Sequence, residues 1–158
     1  MPGVGQPDGL PEHKFRVDGT ICFESPVAIG PTNILPAGSD FNLRTEVGFD
    51  GTLDGMLTGQ TFNVFHHVQN LENGTTTTLP LAGGTFVVPG AAGARAHITV
   101  TSGPYTTADT PGPADLVIPA GFDAGTFRVL THIHAEDTAV KPLVAGFHDG
   151  LIIMVTKP

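Results

Sequence analysis

The chain has no tryptophan, a single cysteine and a single tyrosine in 158 residues. A lone cysteine, Cys22, cannot form an intrachain disulfide, so the fold must hold by burial alone. A domain of this length removes about 70% of its unfolded surface from water, which suffices without a covalent staple. Charge is scarce as well, at 14% of residues against about 25% in ordinary soluble domains. Basic residues are the scarcest, with Lys+Arg 7 against Asp+Glu 15 and a formal net charge of -8. Nucleic-acid binding needs a basic stripe that releases counterions from phosphates, so nucleic acid is not expected as a partner. The same charge argues against an anionic membrane surface. No run approaches the roughly 18 apolar residues of a membrane-spanning helix, and the first residues, from Met1 to Pro11, lack the apolar stretch of a signal peptide. The expectation is a soluble chain with no membrane insertion and an unassigned compartment. Short catalytic signatures are missing too: no Gly-x-Ser-x-Gly elbow, no phosphate-binding P-loop and no His-Glu-x-x-His. Enzymatic activity is open but unsupported by any such motif.

What the chain does have is punctuation and β-branching. There are 21 glycines, 14 prolines and 20 threonines, a composition that favours short strands and tight turns over helices. Residues 1–13 form a Gly/Pro-rich arm too broken for a regular element, and residues 14–158 are expected to form a single domain. Within it, alternating runs recur at even spacing: 15–17, 20–24, 41–47, 61–68, 75–79, 85–88, 95–101, 116–118, 126–134 and 151–156. Asn73-Gly74 between two such runs predicts a two-residue hairpin. Gly48-Phe-Asp-Gly51, Gly121-Phe-Asp-Ala-Gly125 and Gly146-Phe-His-Asp-Gly150 are expected to be turns, with each Phe plugging an end of the domain. Many short strands at this spacing predict an all-β sandwich or barrel.

The run from Asp123 to His134 is the clearest strand. Phe127, Val129, Thr131 and Ile133 share one side, expected to be the core, and Arg128, Leu130, His132 and His134 share the other. Its entry, Asp123-Ala-Gly-Thr-Phe-Arg-Val129, resembles the F strand of immunoglobulin-like β-sandwiches. That resemblance implies a two-sheet antiparallel Greek-key sandwich, with a jelly roll as the alternative wiring. It also implies that residues 61–68 act as the C strand and pair antiparallel with the F-like strand. Val64 would stand where that superfold usually carries tryptophan, and Val129 where antibody domains carry a cysteine. Cys22, between Ile21 and Phe23, is expected to be an apolar strand residue.

Two functions are compatible with these patterns. His132-x-His134 places two rings on one strand face about 6 to 7 Å apart, and His67 or His148 could complete a site for one transition-metal or zinc ion. That is the alternative reading, a small histidine-ligated metal-binding protein or metalloenzyme. The first reading assigns no cofactor and rests on surface. Phe65, His67, Leu130, His132, His134, Ile152 and Met154 should share an outer sheet face, and the apolar run Leu151-Ile-Ile-Met-Val155 calls for cover on both sides. A non-catalytic structural or binding module results, one that self-associates or docks onto a larger assembly through this His-bearing face. His66, on the Val64 and Val68 side, should be a hydrogen-bonded core histidine. The loop from Ala135 to Phe147 is expected at a sandwich end, contributing to a partner or ligand site.

Overall fold

A computed structural model describes residues 15–25, 30–51, 54–135 and 145–158. The N-terminal arm and most of the 135–147 loop lie outside the described residues. Among the described residues, ten strands are β1 (Phe15–Ser25), β2 (Ile34–Pro36), β3 (Asp40–Phe49), β4 (Thr61–Asn70), β5 (Thr76–Thr78), β6 (Thr85–Val87), β7 (Ile98–Ala108), β8 (Leu116–Val117), β9 (Ala124–Ala135) and β10 (Ala145–Thr156). A short helix, α1 (Ala92–Ala96), and a 3-10 turn over Asp54–Leu57 are the helical pieces. The strands form two sheets, β1-β3-β7-β8 and β2-β10-β9-β4-β5, with β6 also paired to β4. The chain is an all-β sandwich.

Both sheets are mixed. Long neighbours pair antiparallel, whereas the short edge strands β8 and β2 run parallel to β7 and β10. Some predicted elements take other forms. Arg95, expected to open a strand, lies in α1, and the run continues as strand from Ile98 to Ala108. The Asn73-Gly74 turn spans residues 71–75, and Gly74 alone among them has positive φ, so it is no two-residue hairpin. Segment 146–150 is strand, not turn. Phe49 is buried as an end plug should be, but Phe122 and Phe147 are exposed.

Alternation along the long strands creates the core. On β9, Phe127, Val129, Thr131 and Ile133 are all buried, as their parity requires. The apolar core falls into two clusters. One gathers around Phe41, Leu43, Tyr105, Ile118, Phe127 and Val129, with Cys22 inside it. The other holds Val47, Phe49, Phe62, Val64, Phe86 and Ile133.

A polar layer runs between them. The Ser102 hydroxyl meets His66 Nε2 at 3.3 Å, and His66 Nδ1 meets Thr131 Oγ1 at 3.0 Å. Thr131 continues to Thr20 at 2.8 Å, and Thr20 to Thr45 at 3.1 Å. Five strands each insert one polar side chain between apolar neighbours: Thr20 of β1, Thr45 of β3, His66 of β4, Ser102 of β7 and Thr131 of β9. A neutral imidazole has one donor and one acceptor nitrogen, so every contact in this chain can be a hydrogen bond in either direction of donation. Buried polar groups left unpaired cost about 1–3 kcal/mol each, and the complete chain avoids that cost.

Candidate functional site

The outer face of the β2-β10-β9-β4-β5 sheet carries the candidate side chains. β9 is its central strand. In register across the sheet, Ile152 lies beside Arg128 and Arg128 beside Gln69; Phe147 lies beside His132 and His132 beside Phe65. Between these rows, Leu130 pairs with His67 and His67 with Thr78. At one end Met154 flanks Ile34 and Thr126, and at the other His134 flanks Asn63. All seven residues expected at the interface, Phe65, His67, Leu130, His132, His134, Ile152 and Met154, therefore share this face. Phe147 and Ile34 extend it, with exposures of 65% and 60%, beside Met154 at 39% and Ile152 at 37%.

Rings dominate one half of the face. His132 stacks on Phe147 at 4.8 Å with 3° between planes, and lies 4.8 Å from His134. Phe65 stacks on His134 at 5.0 Å, and His67 stands 6.3 Å from His132. His67 Nδ1 bonds Thr78 Oγ1 at 2.8 Å, and His134 Nδ1 donates to the Ala135 carbonyl at 2.9 Å. Burial foremost, then the neighbouring His134 and His67, lowers the His132 pKa below its ordinary 6.5. At neutral pH the His132 ring is therefore mostly uncharged and behaves as an aromatic surface.

His148 is not part of this cluster. It pairs with the inward Thr131, and its Nε2 approaches Gly19 and Gly150 on the β1 side. The cause is a bulge. Between His148 and Leu151, β10 advances three residues while β9 advances two, from Thr131 to Val129. One extra residue reverses the side on which each chain position lies. Parity counted back from Ile152 thus puts His148 outward and Phe147 inward, the opposite of the observed arrangement. Phe147 was missed for the same reason, and Ile34 because three residues are too few for alternation to show. The metal candidates thus divide: His67, His132 and His134 on the outer face, His148 on the other side. Among the described residues, no group of three or more His, Cys, Asp or Glu side chains converges as a metal-holding set.

Two other places have the residue types of a site. Ser102 and His66 form a hydroxyl–imidazole pair, but both are sealed, at 0% and 1% exposure, where no substrate reaches. A cleft of about 350 Å3 at one end of the sandwich is lined by Val68, Asn70, Asn73, Thr75, Asp115 and Phe127 among others. Its acid, Asp115, accepts the Thr106 N–H at 3.2 Å, and the lining offers it no second titratable group.

No protein-family model matches the chain, and no curated protein matches it in sequence. Among solved structures, that of a Bordetella pertussis protein named ApaA overlaps 94% of this chain and 98% of its own, at 12% identity and a TM-score of 0.38. No helix among the described residues is long and apolar enough to cross a membrane.

Proposed function

We propose that the protein is a non-catalytic structural or binding module that works by docking the outer face of its β2-β10-β9-β4-β5 sheet against protein. The observation that carries this reading is the set of Ile152, Met154 and Ile34 side by side on two adjoining strands, with Phe147 beyond the bulge on the same face, all four exposed. Exposed apolar patches gathered in this way mark interaction surfaces. Low charge density over the chain favours a life in contact with neighbours. The ring cluster beside the apolar residues adds area of the amphipathic kind enriched in interfaces. An immunoglobulin-like wiring is part of the same proposal. It draws support from the adjacency of β4, β9 and β10, in the manner of C, F and G strands.

The test is a mass measurement. Light scattering on the purified chain, and fractionation of the chain from its source cells, should find it in a species heavier than 16.4 kDa. The double variant Phe147→Asp, Ile152→Asp should return it to the monomer while preserving its circular dichroism. A monomer in both settings would end the reading.

A further inference from the structure

We propose that the cleft between β5 and β8, the last strands of the two sheets, is a binding site for a neutral polyhydroxyl ligand, a sugar ring. It opens on the inner side of the β5 edge, so the inference goes beyond the docking reading and does not depend on it.

The site begins where alternation stops giving a core. Along β4 the inward positions run Val64, His66, Val68 and then Asn70, which pairs with the buried Phe127 of β9. Thr77 pairs with Val68 and so faces inward as well, and Thr75, two residues before it, lies on the same side. By register these are core positions, yet they carry amide and hydroxyl groups. Opposite them β8 has only two residues, Leu116 and Val117, so the second sheet stops short of this corner. The result is the cleft of about 350 Å3, within the size range of small-molecule sites.

Hydrogen bonding on its polar wall is incomplete. Asn70 is 7% exposed; its Oδ1 accepts the Glu72 N–H at 3.0 Å, and its Nδ2 has no acceptor among the described residues. Asn73 Oδ1 accepts both the N–H and the hydroxyl of Thr75, at 3.0 and 2.8 Å, which leaves its Nδ2 to point elsewhere. Asp115 uses Oδ2 on the Thr106 N–H and keeps Oδ1, and the exposed Thr77 hydroxyl completes the wall. A ligand has to accept from the two amides and donate to the carboxylate.

That requirement selects the ligand. The described lining has no Lys, Arg or His, so a phosphate, sulfate or carboxylate finds no counter-charge and meets Asp115 instead. One carboxylate is too few for calcium. Phe127, the one aromatic ring in the lining, is 3% exposed and gives a nucleobase or quaternary ammonium no face to stack on. A primary ammonium suits Asp115 but only donates, and would leave Asn70 Nδ2 unpaired. A trans peptide amide carries N–H and C=O on opposite sides and cannot turn both to one wall. A hydroxyl donates and accepts at one atom, so neighbouring hydroxyls can accept from Asn70 and Asn73 while donating to Asp115. They also reproduce the hydrogen bonds of the water they displace. Pro111, Val117 and Pro119 supply an apolar wall for the C–H face of the ring.

The test is an NMR titration of the isotope-labelled chain with methyl glucoside, methyl mannoside and methyl galactoside, all uncharged. At least one should move the Asn70 and Asn73 side-chain amide signals saturably, with a dissociation constant on the order of 1–10 mM, as a few net hydrogen bonds give. Thr77→Val keeps the β-branched shape, removes the hydroxyl and should weaken that binding about threefold to tenfold. Asn70→Leu should abolish it; if that chain does not fold, Thr77→Val decides alone. Sodium sulfate, putrescine and N-acetylglycinamide should leave the two signals in place. No saturable shift with any of the three sugars overturns the site. A shift that one of the other three probes produces at lower concentration overturns the ligand class, and a sugar titration undiminished in Thr77→Val puts the sugar outside the cleft.

Discussion

His66 shows how one residue can be costly and still belong. It is the second member of the Ser102 to Thr45 chain, between Ser102 and Thr131, and burial foremost, with His67 beside it, pushes its pKa from 6.5 down to about 4. Folded, the ring stays neutral until about pH 4; unfolded, it takes a proton near 6.5. The folded pKa is the lower one, so the unfolded state gains protons first as pH falls. Stability is whole above pH 6.5, declines through the window down to about 4 and levels off below it. A gap of that width corresponds to about 3 kcal/mol. Urea unfolding at several pH values across the window should show this slope, and the His66→Gln chain should show a much shallower one. An equal slope in both chains would mean that the titrating group lies elsewhere.

At the scale of elements, the connection from β5 to β6 is pressed onto the sandwich by a glycine. A Cβ on Gly84 would come within 2.7 Å of the Ser102 Oγ, 2.8 Å of the Val64 carbonyl oxygen and 2.9 Å of the Leu81 carbonyl oxygen. Two of these are backbone atoms: the Leu81 oxygen accepts the Gly84 N–H, and Val64 is fixed to the same segment by its own N–H on the Gly84 oxygen, so neither can yield cheaply. Gly84→Ala should destabilise the fold by about 1–3 kcal/mol, as overpacking does, whereas Gly93→Ala, with open space around it, should not. Thermal melts of the two variants compare them. The same scale explains what could be read from sequence. β4 and β9 were legible, since their alternation is unbroken and their inward residues, Val64, His66, Val129 and Ile133, are the buried ones. β10 was half legible. Its apolar end from Leu151 stood out, but the bulge reversed the sides of Phe147 and His148, and no local pattern announces where a partner strand skips a residue. β2, with three residues, has no period to detect. The polar layer was equally hidden. Thr20, Thr45 and Ser102 look like ordinary strand residues until the register of two sheets brings them to one level.

For the whole molecule, the consequence of the ring cluster is a dependence of docking on pH. Around His132 on its own sheet stand His67, His134, Phe65 and Phe147, with the exposed Asp149 in the neighbouring bulge. Burial already holds the His132 pKa below 6.5, and a partner seated on the ring removes more water from it, which disfavours the charged form further. The free chain therefore binds protons before the docked one as the medium is acidified. Docking is full above about pH 7 and declines as pH falls through the imidazole range. Sedimentation velocity of the heavier species across that range should show dissociation growing on the acid side. His132→Phe keeps the ring and removes the proton, so that variant should keep most of its association at both ends of the range. If it weakens with acid as much as the parent does, His132 is not the group whose protonation opens the contact.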